Sequence, residues 1–421
     1  MQRTPSKLLS LVFVVSTAIG LAADWPRFRG LDAVGVSDQT VPGQWSDSED
    51  ILWKTPLPGR GASSPITLGD RIFLTYYSGY GMNEDDPGTL QNLTRHLICI
   101  DRANGSVVWQ KAAKALMPEQ EYRGFVALHG YTSSTPASDG EAIYVYYGRS
   151  GVYAYRLDGE ELWHTVLGEG LHIWGSGSSP IVHGNLVIVN AAVEGEAVVA
   201  LDKRTGKEVW RVEGVQESWS TPLVVNLPDG GEELVVNMRG KVLGIDPATG
   251  RERWHCTGIK SYVCPAVVAH EGVVYISGGR PPEMLAIRAG GQGDVTDSHV
   301  LWTRKKTAIV GTPLYHDGHL YWINRQAIAS CAKASDGETI YEERLDVGGR
   351  GDKVYASLVL AGGKLYGVSR QDGTVVLDAG PEFNLVEHNR LGDESIFNAT
   401  PVVSGGALLV RSDQYLYCIG R

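Results

Sequence analysis

Three observations predict an all-β fold, an eight-bladed β-propeller of four-stranded antiparallel blades. An eleven-residue phrase, small-x-Asp-x-x-x-Gly-x-x-x-Trp, recurs as CIDRANGSVVW ending at Trp109, ALDKRTGKEVW at Trp210 and GIDPATGRERW at Trp254. A Ser, Thr or Cys before Pro opens a second recurring stretch, in which two apolar runs flank a Gly-containing turn, as in PIVHGNLVIVN from Pro180 and PLYHDGHLYWIN from Pro313. The two alternate with a usual spacing of about 42 to 48 residues, the length of one propeller blade.

Each element follows from local chemistry. Strand A begins after the Pro, at Pro65, Pro136, Pro180, Pro222, Pro265, Pro313 and Pro401, with Leu358 in the Pro place of the seventh unit. His-Gly, Asp-Gly or Gly-Gly turns then return the chain as strand B. Strand C ends in the Asp of the phrase, which caps the C–D turn through its side chain, and Gly supplies the positive φ. Strand D ends in Trp, whose large ring covers the face of a neighbouring blade and whose N–H reaches a backbone acceptor. Trp109, Trp163, Trp210, Trp254 and Trp302 take this place. The last unit stops after strand C at YLYCIGR, and ILWKTPL near the start carries Trp53. The N-terminal strand therefore completes the last blade and closes the ring, leaving no open sheet edge around it.

Outside the repeats, residues 1–22 read as a signal peptide, with Arg3 and Lys7, an apolar run from Leu8 to Leu21 and small residues at Ala22 and Ala23. Residues 23–50 form an N-terminal segment and 51–421 the propeller. Loss of Arg3 and Lys7 takes the formal charge from −10 to −12. An acidic exported protein is unsuited to nucleic acid. A periplasmic or secreted monomer is expected, without a lipid anchor because no Cys follows the cleavage region. Five cysteines exclude a complete disulfide framework. Cys99, Cys331 and Cys418 stand at the small position of the phrase and read as buried apolar residues. Cys256 and Cys264 lie between repeats, and sequence leaves their pairing open.

The phrase Ala-x-Asp-x-x-Thr-Gly-Lys-x-x-Trp resembles the tryptophan-docking motif of the pyrroloquinoline quinone (PQQ) repeat family. That family includes the quinoprotein alcohol dehydrogenases and the lipoprotein of the outer-membrane β-barrel assembly machine. The resemblance covers 51–421, and DWPRFRGLDAVGVS at 24–37 also resembles the opening of secreted bacterial members. It implies two functional classes: an assembly scaffold, or an oxidoreductase holding PQQ over Ca²⁺ beside an adjacent Cys-Cys pair. This chain has no Cys-Cys, CxxCH, GxSxG, P-loop or HExxH. The expectation is a non-catalytic binding or assembly scaffold without a cofactor, with PQQ and Ca²⁺ as the alternative. Its partner would be a protein or an anionic small molecule.

Strand order places the D–A and B–C loops on one face. The two longest insertions, Tyr76 to Arg95 and Lys111 to Tyr131, both fall there. An arginine ends strand B in six units: Arg149, Arg239, Arg280, Arg325, Arg370 and Arg411, with Glu194 in blade 3 and a long loop in blade 1. These are expected to ring the channel mouth and attract anions. Trp174, Trp219, Tyr262, Tyr355 and Phe397 precede strands A and would add aromatic faces. His129 and His172 are candidates for a metal or acid–base pair with Glu121, Glu169 or Tyr131, against the alternative of hydrogen-bonded loop residues.

Overall fold

A computed structural model describes residues 24–421; the expected signal peptide lies outside them. Eight antiparallel sheets form the blades, spanning 66–114, 137–165, 181–213, 223–257, 268–305, 314–344, 359–389 and 402–419. Ile51–Pro56 supplies strand D of blade 8 by pairing antiparallel with Tyr415–Ile419, so the ring closes as the sequence predicts. Strand A is innermost and short, for example Ile66–Leu68 and Ile181–His183.

The register explains the spacing within the phrase. Its small residue faces the aromatic ring across strands C and D: Cys99 opposite Trp109, Ala200 opposite Trp210, Cys331 opposite Tyr341 and Cys418 opposite Trp53. The register then shifts at a bulge, which leaves room for the ring. The indole donates to the next blade, always to the carbonyl just after the Asp position. Trp53 bonds Arg102 O (3.1 Å), Trp109 Leu157 O (3.1 Å), Trp163 Lys203 O (2.9 Å), Trp210 Pro247 O (3.1 Å) and Trp302 Ala334 O (3.1 Å). The phrase Gly lies under that ring. A Cβ on Gly105, at φ +73°, would come 2.6 Å from Trp53.

Trp254 departs from this expectation. It turns into its own blade, fully buried, and donates to Glu233 Oε2 at 2.7 Å. The insertion in the C–D connection of blade 5 takes its docking surface, laying Gly293–Asp294 parallel to strand D of blade 4. Gly244, opposite Trp254, must be Gly because a Cβ would lie 2.1 Å from the indole.

The Ser/Thr before each strand A has a shared role that sequence did not disclose. Its hydroxyl accepts a backbone N–H from the preceding blade: Ser64 to Thr135 (3.0 Å), Thr135 to Ser179 (3.0 Å) and Ser179 to Thr221 (3.1 Å). Ala266 to Thr312 (3.0 Å), Thr312 to Ser357 (2.9 Å) and Ser357 to Thr400 (3.0 Å) continue it. Strand A starts too close to the axis for side chains larger than these, and the hydroxyl satisfies a buried N–H that has no sheet partner there.

The N-terminal segment closes the face carrying the A–B turns. Trp25 pairs with Thr67 of blade 1, Pro26 O accepts from Ser138 of blade 2, and Val36–Ser37 pairs parallel to strand A of blade 7. Arg29 is buried at the centre. Its guanidinium donates to five carbonyls, on Ala33, Val34, Thr312, Pro313 and Leu358. Burial lowers it to about 9. Phe28 stands beside it and forms the floor of the channel.

Candidate functional site: a blind funnel on the D–A and B–C face

With one end stopped by Phe28, the channel is a funnel of about 200 Å³ open at the D–A and B–C face. Its wall is the hydroxyl ring, Ser64, Thr135, Ser179, Thr221, Thr312, Ser357 and Thr400, with Cys264 in the eighth place. All five cysteines are free, so Cys256 and Cys264 do not pair. Burial pushes the Cys264 thiol up to about 12, which makes it a small apolar wall residue and not a nucleophile.

Aromatic side chains crowd one side of the mouth. Trp174 stacks on Tyr262 with ring centroids 4.2 Å apart and packs against Trp219 at 5.0 Å and Phe125 at 4.8 Å. Phe125 begins a short helix, α1 (Phe125–His129), inside the long D–A loop. Sequence placed that loop at the site but did not single out Phe125. Tyr262 holds φ +52°, a conformation that bulky residues rarely adopt and that surrounding packing must impose. Phe397 differs from expectation: it is buried in the core between blades and stacks on Tyr417.

The arginines do not form a ring. Strand B lies one strand out from the axis, so most of these side chains meet loops before they reach the channel. Arg149 binds the carbonyls of Glu169 and Met117, and Arg239 pairs with Glu217. Arg411 is buried behind the wall on Ser63 O (2.6 Å), and burial lowers it to about 10. Arg370 is also buried and leans on Tyr355 at 4.6 Å. Arg280 and Arg325 line the funnel. Arg325 is held by Asp352 (2.8 Å), which also accepts from Tyr355 (2.9 Å), and its Nε is buried without a partner. Arg280 is exposed and, among the described residues, has no acid within salt-bridge distance. Phe125, Trp174 and Tyr262 surround it at 5.9, 5.5 and 5.5 Å.

The histidines are loop residues. His129 Nδ1 bonds Ser133 Oγ (2.7 Å) and Nε2 bonds Trp174 O (2.8 Å), and burial lowers its pKa. His172 accepts from Trp174 N (3.2 Å) and packs edge-on to Trp219. Among the described residues, no hydrogen bond or salt bridge joins either to Glu121, Glu169 or Tyr131; Glu121 pairs with Arg123 and Tyr131 donates to Gln120 O. Glu194, in the arginine place of blade 3, is buried and accepts from Tyr146 and Ser176; burial raises its pKa.

The lining does not fit the Ca²⁺ half of the PQQ–Ca²⁺ pair. A calcium ion takes six to eight oxygen ligands with carboxylates among them, and no Asp or Glu lines the funnel. No group of three or more His, Cys, Asp or Glu is placed to hold a metal among the described residues.

Docked tryptophans, the hydroxyl-lined axis and closure by the N-terminal strand define a PQQ-like repeat propeller. Residues 93–343, more than half of the chain, match the family model described as outer membrane protein assembly factor BamB, and the chain belongs to that family. A search of curated proteins gives no match. Among solved structures, BamB from Moraxella catarrhalis is similar with TM-score 0.59 at 12% identity, over 87% of this chain and 98% of that one. A europium-containing methanol dehydrogenase gives TM-score 0.65 at 12% identity, over 93% and 90%. The computationally designed Ika8 protein gives 0.57 at 12%, over 87% and 99%. At such identity these likenesses show the fold, which an assembly factor, an oxidoreductase and a designed ring share.

Proposed function

We propose that this protein is an exported, non-catalytic binding propeller that takes an anionic group of a partner or small ligand into the funnel. The observation that carries the reading is Arg280, an unpaired cation among three aromatic faces at the mouth of a blind funnel without carboxylates. Such a site suits a flat, apolar body bearing an acid: the rings bury the body and the guanidinium takes the charge. The hydroxyl wall adds neutral donors and acceptors, and both nitrogens of His129, the imidazole in the lining, are engaged by Ser133 and the Trp174 carbonyl.

PQQ itself, a planar polyacid, serves as the probe. Calorimetric titration with and without Ca²⁺ is compared between the wild-type protein and Arg280→Ala plus Arg325→Ala. Binding without Ca²⁺, weakened by about tenfold or more in the variant, supports the reading. Binding only with Ca²⁺ overturns it in favour of an oxidoreductase. No binding of PQQ or of an acidic peptide leaves the funnel without its proposed role.

A further inference from the structure

Behind α1 lies a second cavity of about 170 Å³, sharing only Leu128, His129 and Asn398 with the funnel. The two long insertions of blade 1 make its outer wall through Tyr77 and Tyr122, and blades 7 and 8 make the inner one through Arg370, Gln371, Asn398 and Asp413. Arg60 completes it, donating to Tyr122 OH (2.8 Å) and standing 3.4 Å from Asp413 Oδ2. Two arginines face Asp413 and the exposed Glu84 in the lining, and the buried Arg411 behind it adds a third cation. Arg370 spends its nitrogens on uncharged acceptors: Asn398 Oδ1 (2.9 Å), Asp352 O (3.3 Å) and Leu128 O (3.1 Å). Arg411, two residues before Asp413 and acting on its charge, leaves Nε and Nη2 buried without partners. Arg60 and Arg370 thus line the cavity with the largely buried Asp413 carboxylate, Arg411 acts on that carboxylate from behind, and Glu84 is exposed at the rim. Buried cations held by neutral groups are costly, and an incoming oxyanion offsets that cost.

We propose that this side cavity is a second binding site, specific for a small hydroxylated oxyanion: a hydroxy acid or a phosphate monoester of a polyol. The oxyanion sits between Arg60 and Arg370, whose planar forks match it. Hydroxyl groups bond to Asp413 and to the Asn398 amide, and the faces of Tyr77 and Tyr122 cover the carbon chain. The site shares Asn398 with the funnel but not its cation or its rings, because Arg280 and the aromatic cluster take no part in it.

Glycerate, glycerol 3-phosphate and neutral glycerol are titrated into the mature protein by calorimetry. One or both acids bind and glycerol does not; which acid binds identifies the oxyanion. Arg60→Gln weakens binding by about tenfold or more. Asn398→Asp, which adds a carboxylate without changing volume, abolishes it, and circular dichroism shows which variants are folded. Arg280→Ala leaves it unchanged. Failure of both acids to bind, equal binding of glycerol, unchanged affinity in a folded Arg60→Gln variant, or survival of binding in a folded Asn398→Asp variant overturns the proposal. Loss of binding in Arg280→Ala also overturns it, moving the anion to the funnel and leaving the funnel reading intact.

Discussion

The docking tryptophan joins a packing role to a polar one, and the two can be separated. Trp163→Phe keeps most of the buried ring but loses the bond to Lys203 O, and should cost about 1 kcal/mol in chemical denaturation. Trp163→Ala also empties the site and should cost about 3–5 kcal/mol. Trp254 behaves differently because its partner is Glu233 in its own blade. Gly244→Ala should evict that indole, destabilise the fold and shift the tryptophan emission to longer wavelength. The turn aspartates are among the carboxylates that make the fold sensitive to acid. A hydrogen bond from Arg253 is the main cause lowering Asp246, and one from Thr205 does the same for Asp202. Their folded pKa values lie below the ordinary 3.8, so the stabilisation is full above that value and is lost as pH falls through the lowered ones. Asp246→Asn should flatten the fall of the guanidinium midpoint below about pH 4.

At the level of elements, the blades were legible because each strand carries its own punctuation: Ser/Thr-Pro, a Gly turn, Asp, Gly and Trp. The N-terminal segment was not legible as a stopper. DWPRFRG has neither strand nor helix periodicity, and its role depends on carbonyls at Thr312, Pro313 and Leu358, 283 to 329 residues away. Arg29 donates to those carbonyls in place of a salt bridge. Arg29→Ala should therefore cost at least about 3 kcal/mol, since it strands several buried acceptors. Arg29→Met, which keeps the volume, should cost less; thermal unfolding of the two variants checks the order. The candidate site was half legible. Arg280, Arg325, Trp174, Trp219, Tyr262 and Tyr355 meet at the funnel mouth as topology predicted. Arg149, Arg239, Arg370 and Arg411 do not, because equal position in a repeat does not fix where a long flexible side chain finds its acceptors.

Over the whole molecule, closure by Ile51–Pro56 makes the ring one cooperative body. Trp53→Ala loosens the closing blade, and should make the unfolding of blade 8 precede the rest, seen as fluorescence and circular dichroism transitions that no longer coincide. The joints between blades are of unequal make. Indole docking and a hydroxyl bond together fasten blade 1 to 2, 2 to 3, 3 to 4 and 5 to 6. Between blades 4 and 5, among the described residues, neither is present: Cys264 replaces the hydroxyl and Trp254 faces inward. Backbone pairing holds that joint instead, through Gly293–Asp294 and the bridge of Ser218 to Val263. Joints 6–7 and 7–8 keep the hydroxyl bond without a docked indole, and joint 8–1 keeps the indole without the hydroxyl bond, so joint 4–5 alone among the described residues has neither. Arg280, Tyr262 and Cys264 all stand on the blade 5 side of this fault line. A ligand entering the mouth there would meet the joint that backbone pairing and a shared apolar core hold in place of a docked indole and a hydroxyl bond.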